Sequence, residues 1–253
     1  MYRIAMKKWY FISPYIIQKI VWIPTRFLLV YFGRIQIRGL ENLKGLKGNA
    51  IFACNHSSEL DPFMVPVSLS FASRFSPIFY ASREKSFYVN SGWRKIFYGG
   101  LLFKACGSYP VSVGLHDYKA AMKHQLRIIS DGGSVCIYPE GRKTPDGDIQ
   151  PAKGGVAYLA LSTGRPVIPV RIDGLFRFSF ADFFARRRQL AVTFGAPMYA
   201  AASLQSRAGY VPSVEDFKRF ANEVMDRIRA MGPQSLSPRP SPFRVSRPVG
   251  VRG

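Results

Sequence analysis

From Ala50 onward, short apolar runs of strand length alternate with segments whose apolar residues recur at helical spacing, and few folds accommodate that alternation. Ala50 to Cys54, Ile78 to Ala81, Ser134 to Tyr138, Val167 to Ile172 and Leu190 to Phe194 read as strands by length and by β-branched or aromatic content. Between them, Tyr118, Met122, Leu126 and Ile129 share one helical face, as do Val156, Leu159 and Ala160 after Gly154-Gly155. A further helix is expected from Val214 to Met231, with Ser213 as its N-cap, Phe217, Phe220, Val224 and Ile228 on its buried side, and Gly232-Pro233 ending it. The pattern predicts one α/β domain, and 253 residues suffice for one such core with appendages.

The segment ahead of this core has a different character. Residues 1–48 hold nine basic side chains (Arg3, Lys7, Lys8, Lys19, Arg26, Arg34, Arg38, Lys44 and Lys47) against the single acid Glu41, interleaved with Trp9, Tyr10, Phe11, Trp22 and Phe27. The apolar stretch Tyr10 to Gly33 is interrupted by Pro14, Lys19, Pro24 and Arg26. A bilayer span would put those charges in hydrocarbon at a few kcal/mol each. The expected element is instead an amphipathic helical motif lying in the membrane interface, held by aromatic rings at the headgroup boundary and by cations on an anionic leaflet. The whole chain carries a formal charge of +21, which calls for a polyanionic partner. No zinc-finger, RNA-binding or helix-turn-helix signature accompanies that charge, so an anionic membrane surface is favoured over nucleic acid. Cys54, Cys106 and Cys136 are odd in number with no paired spacing, which points to a reducing, cytosol-facing location. Residues 232–253 contain no acid, four Arg and five Pro, and are expected to be a disordered basic tail.

Two clusters carry chemistry. After the first core strand, Asn55-His56-Ser57-Ser58-Glu59-Leu60-Asp61-Pro62 places a His at the strand's carboxyl end, where ligands bind in open α/β sheets. Asp followed by Pro is a helix-start signal, with Asp61 expected as N-cap and Pro62 at the first helical position. A tight loop can return the Asp61 carboxylate to one nitrogen of His56 and leave the other to take a proton from a hydroxyl, the other reading being that Asp61 is only the helix cap. The second cluster, Tyr138-Pro139-Glu140-Gly141-Arg142-Lys143-Thr144-Pro145-Asp146-Gly147, puts a carboxylate, two cations and turn residues at another strand end. It reads either as a polar pocket for a hydroxyl beside a phosphate or as a solvated surface turn.

In their order and spacing, Asn55-His56-x4-Asp61, Tyr138-Pro139-Glu140-Gly141, Lys153-Gly154-Gly155-Val156-Ala157, Arg165-Pro166-Val167-Ile168-Pro169-Val170 and the strand ending Phe194-Gly195-Ala196-Pro197 resemble the lysophosphatidate (1-acylglycerol-3-phosphate) acyltransferase family of glycerolipid acyltransferases. The resemblance runs from about Leu40 to Pro197. It implies an α/β sheet flanked by helices and an O-acyltransferase that moves a fatty acyl group from acyl-CoA or acyl-carrier protein to the hydroxyl of a lysophospholipid. It also implies His56 as general base, Asp61 orienting it, and Glu140, Gly141, Arg142 and Lys143 at the acceptor, with Lys153 near phosphate or donor. No cofactor or metal is implied, since the thioester is already activated, and His116 and His124 read as exposed. The sequence departs from the family pattern at Val113, after Gly107-Ser108-Tyr109-Pro110-Val111-Ser112, where an Arg is expected. The acceptor therefore stands open between lysophosphatidate and another lysolipid such as a lyso-aminolipid, and a non-catalytic anionic-lipid-binding protein is the reading from a different class.

The expected organisation is a membrane-anchoring segment over 1–48, a catalytic domain over 49–231 and the tail over 232–253, on the cytoplasmic membrane face as a peripheral or monotopic protein. Phe176 to Arg188, with five aromatic residues and four Arg, reads equally as a second membrane contact or as a packed loop.

Overall fold

A computed structural model describes residues 8–83, 101–112, 117–204 and 211–232. Seven strands form one sheet: β1 (Gln36–Arg38), β2 (Ile51–Cys54), β3 (Ile78–Ser82), β4 (Ser108–Pro110), β5 (Ser134–Ile137), β6 (Val167–Asp173) and β7 (Ala191–Phe194). Their spatial order is β1-β7-β6-β2-β5-β3-β4. Every neighbouring pair is parallel except β6 with β7, so β1 and β7 run against the other five. The helices are α1 (Trp9–Tyr31), α2 (Asp61–Ser68), α3 (Leu101–Ala105), α4 (Tyr118–Ala121), α5 (Lys123–Ser130), α6 (Gly155–Thr163), α7 (Phe180–Phe184), α8 (Ala200–Leu204) and α9 (Val214–Ala230).

The central strands β2 and β5 are buried along their whole length, as a parallel sheet covered on both faces requires. Their alternation sorts the core into two layers. Ile51, Ala53, Val135 and Ile137 pack with Val156 and Leu159 of α6 and with Phe220, Val224 and Ile228 of α9. Phe52, Cys54 and Cys136 face the other way, onto Met64 and Val65 of α2, Leu29 of α1 and Phe183 of α7. Helix α9 opens with a reciprocal cap: the Asp216 N–H donates to Ser213 Oγ at 3.2 Å, and the Ser213 N–H donates to Asp216 Oδ2 at 2.8 Å. The helix expected around Tyr118 to Ile129 is two helices that break at Met122 (φ −110°, ψ 20°).

The sheet begins before the expected domain boundary at residue 49. Gln36–Arg38, assigned from sequence to the anchoring segment, pairs with Ala191–Thr193 as an edge strand. It is steered there by Gly39, whose left-handed backbone (φ +74°) passes so close to Phe194 that a Cβ would lie 1.9 Å from that carbonyl oxygen.

Helix α1 continues through both Pro14 and Pro24. The polar residues that interrupt its apolar pattern point into the domain. Gln18 donates from Nε2 to the Ile78 carbonyl at 2.7 Å and accepts the Ile78 N–H at 2.9 Å. Trp22 Nε1 and Arg26 Nη1 donate to the carbonyls of Leu69 (3.3 Å) and Val67 (2.9 Å) at the carboxyl end of α2, and Lys19 donates to Phe71. The apolar residues are left outside, with Ile20 68% and Phe27 63% exposed beside Ile16, Ile23, Val30 and Tyr31. Among the described residues, no helix is long and apolar enough to cross a membrane. Val113, His116 and the tail from Pro233 onward lie outside the described residues.

Candidate active site

Because β2 and β5 are adjacent and parallel, their carboxyl ends deliver Asn55-His56 and Tyr138-Pro139-Glu140 to the same edge of the sheet. The chain leaves β2 for β3 and later returns to insert β5 between them, the kind of sheet position at which α/β proteins bind ligands. Asn55 fixes the start of the loop against β6: its Nδ2 donates to the Ile172 carbonyl at 2.9 Å and its Oδ1 accepts the Ile172 N–H at 2.8 Å.

His56 Nδ1 lies 2.8 Å from Asp61 Oδ2. Asp61 is fully buried, while the His56 side chain keeps 20% of its surface. The same Asp61 oxygen accepts the N–H groups of Ser57 at 2.6 Å and Ser58 at 2.8 Å. Asp61 is thus the first residue of α2 rather than its N-cap, and its carboxylate folds back into the loop instead of onto the helix amides. An anion surrounded by N–H donors assigns the Nδ1 proton to the hydrogen bond with Asp61 and leaves a lone pair on Nε2. The imidazole lies against the Tyr138 ring, with centroids 4.2 Å apart and planes 26° from parallel. The Tyr138 hydroxyl is buried without a hydrogen-bond partner among the described residues, and burial raises its phenol well above the ordinary range. Cys54 and Cys136, unpaired in sequence spacing, meet here as buried free thiols with Sγ atoms 3.6 Å apart.

Glu140 is 4% exposed. Its Oε1 accepts the His56 N–H at 2.8 Å and its Oε2 accepts the Gln150 N–H at 2.9 Å. Burial raises its pKa, and the two N–H donors pull it the other way. Gly141 turns with φ +71°, where an added Cβ would come within 3.2 Å of the Lys153 side chain, and its carbonyl accepts from Arg83 Nε (3.1 Å) and Nη2 (2.6 Å). Arg142 is exposed, and Lys143 forms an exposed ion pair with Glu59 at 3.2 Å. The structure therefore brings His56, Asp61, Glu140, Gly141 and Lys153 together and leaves Arg142 and Lys143 exposed beside them. Asn55, Arg83, Tyr138 and Gln150 were not singled out from sequence as site residues. Only Asn55 and Tyr138 carried a signal, as the neighbours of the motif residues. His124, expected to be exposed, is half-buried beside Tyr109, and desolvation lowers its pKa. No cluster able to hold a metal occurs among the described residues.

The fold and this dyad define an α/β protein whose site pairs an imidazole with one buried carboxylate at the carboxyl edge of a parallel sheet. The chain belongs to the acyltransferase family, whose model matches residues 34–173. It is 28% identical over 144 residues to the chloroplastic 1-acyl-sn-glycerol-3-phosphate acyltransferase BAT2 of Brassica napus, covering 56% of this chain and 38% of that one. It is 26% identical over 172 residues to human 1-acyl-sn-glycerol-3-phosphate acyltransferase beta, covering 66% of this chain and 55% of the relative. The chain thus spans roughly half or less of the length of these curated relatives. The crystal structure of the 1-acyl-sn-glycerophosphate (LPA) acyltransferase PlsC from Thermotoga maritima shares the fold, with a TM-score of 0.59 at 18% identity over 90% of this chain and 85% of that one.

Proposed function

We propose that this protein transfers a fatty acyl group from a thioester, acyl-CoA or acyl-carrier protein, to the free hydroxyl of 1-acylglycerol-3-phosphate, giving phosphatidate. The observation that carries this reading is the buried Asp61 carboxylate on His56 Nδ1 at the carboxyl end of β2, in a chain whose family and named relatives perform acyl transfer. His56 Nε2 takes the proton of the acceptor hydroxyl as its oxygen attacks the thioester carbonyl. The C–O bond forms, the tetrahedral intermediate collapses with cleavage of the C–S bond, and the imidazolium returns its proton to the leaving thiolate. Asp61 holds the ring and stabilises the imidazolium. Arg142, Lys143 and Lys153 supply cations for the acceptor phosphate or the anionic donor, and Gly141 permits the turn that brings them to the rim.

The departure at Val113 favours a second acceptor class, a lyso-aminolipid. A panel of lysolipids offered with each donor to the purified full chain in mixed micelles separates the two. Turnover confined to lysophosphatidate supports the first reading, and turnover confined to a lyso-aminolipid replaces it with the second. Binding of anionic lipid without turnover on any acceptor points to a non-catalytic lipid-binding protein.

An anionic membrane surface is the partner that suits α1. A helix that turns its polar side chains inward and leaves isoleucine, phenylalanine and tyrosine outside has the apolar face of an interfacial helix. The exposed Phe180 and Phe184 of α7, with Phe184 packed on Phe32, extend the apolar surface just beyond the helix end. Each buried large apolar side chain contributes about 1.5–3 kcal/mol. The double substitution Ile20→Glu and Phe27→Glu is expected to weaken binding to phosphatidylglycerol-containing vesicles by at least about a hundredfold in co-sedimentation. Micellar assay activity is expected to fall far less, and undiminished vesicle binding would place the membrane contact elsewhere.

A further inference from the structure

The segment 138–144 grips His56 at three points. Tyr138 covers the face of its ring, Glu140 Oε1 accepts its backbone N–H at 2.8 Å, and its carbonyl accepts the Thr144 N–H at 2.8 Å. The other oxygen of Glu140 holds Gln150, at the far side of the turn that carries Arg142 and Lys143. Both carboxylate oxygens are therefore engaged by backbone donors from two different loops, and the residue retains 4% exposure, which leaves an incoming lipid almost no surface to reach. A buried carboxylate used in this way is a brace. Its bonds set where the His56 backbone sits, and that fixes where Nε2 meets a substrate hydroxyl.

We infer that Glu140 is a positioning residue for His56, joining the loop after β2 to the turn after β5, and not a ligand of the acceptor. The inference deepens the acyltransferase reading and rests on it for its kinetic consequence. An acceptor ligand acts on acceptor binding, whereas a brace acts on the placement of the base and leaves acceptor affinity in the hands of the rim cations.

Glu140→Gln tests this, because the carboxamide keeps the shape but turns an NH2 toward one of the two N–H donors. Displacing a base by about 1 Å can cost about a hundredfold in rate. The expected result in micelles is a fall in kcat of about tenfold to a hundredfold with the acceptor KM held within about twofold. The same variant is read by NMR without any substrate. The chain has three histidines, and the His56 ring protons, assigned by their loss in His56→Ala, sense the ring current of the stacked Tyr138. A brace predicts that these resonances move in Glu140→Gln. Unchanged His56 resonances, or a raised acceptor KM at preserved kcat, would overturn the inference. Should Glu140→Gln fail to fold, Glu140→Asp, which keeps the charge but is one methylene too short to reach both N–H groups, is read in the same two ways. A wild-type protein that acylates no lysolipid removes the catalytic reading, and the resonance comparison still decides the role of Glu140.

Discussion

His56→Ala is expected to reduce acyl transfer by about 10²–10⁴-fold in kcat while leaving the fold and acceptor affinity nearly intact, as measured by initial rates and thermal unfolding. The side chain is partly exposed and sits at the mouth of the site, so its removal opens little core volume. On the proposed mechanism, what is lost is the proton acceptor. An alcohol at neutral pH is a poor nucleophile toward a thioester unless its proton leaves as the C–O bond forms, the role proposed for the imidazole that hydrogen-bonds Asp61. The residual rate would come from donor and acceptor held side by side. A variant retaining more than about a third of wild-type kcat would remove His56 from the mechanism.

Asp61→Asn is expected to be costly twice. The carboxylate is fully buried, and a single oxygen accepts from Ser57 N, Ser58 N and His56 Nδ1. An asparagine has one accepting oxygen and an NH2 group: with the oxygen in the Oδ2 place it still accepts from all three donors but without the charge that steadies the imidazolium, and with the NH2 there it faces both backbone amides and the imidazole. In the second arrangement Nδ1 must accept, the proton moves to Nε2, and the base is lost. The expected loss in kcat is about 10²–10⁴-fold, comparable to removing the imidazole itself. The same arrangement takes the acceptor from the buried Ser57 and Ser58 N–H groups, which lowers stability by about 1–3 kcal/mol in urea unfolding. Combining the two substitutions separates the contributions. If Asp61 acts only through His56, the double variant is no slower than His56→Ala alone, because residues that act as a unit are not additive.

The fully buried central strands and α9 were readable from sequence because each is a run of apolar residues with a single period, closed by Ser213 at one end of α9 and Gly232 after the other. The edge strands β1 and β4 were not. Each has three residues, mostly half-buried, so neither period nor hydrophobicity marks them, and only the pairing with β7 and β3 makes them strands. Helix α1 was legible as apolar and basic, but its polar residues read as interruptions. They are the face that docks, through carbonyls of Val67, Leu69 and Ile78 that no local pattern reveals.

The candidate site divides in the same way. His56 and Asp61 are five residues apart, and a loop of that length brings them together unaided. Glu140 and His56 are 84 residues apart and meet only because β5 lies beside β2. The sequence motif thus singled out Glu140 as a candidate, while its two backbone partners depended on the sheet order. The stacking of Tyr138 on His56 is hidden for the same reason.

The most direct test of the central claim is mass-resolved acyl transfer by the purified full chain on anionic vesicles carrying lysophosphatidate, with an acyl thioester supplied and the His56→Ala variant run in parallel. Phosphatidate accumulating with the wild type, with free thiol released in equal amount and both lost in the variant, is the predicted result. Thiol release or phosphatidate formation that is equal in the two proteins, or no phosphatidate from the wild type with either donor, would contradict it.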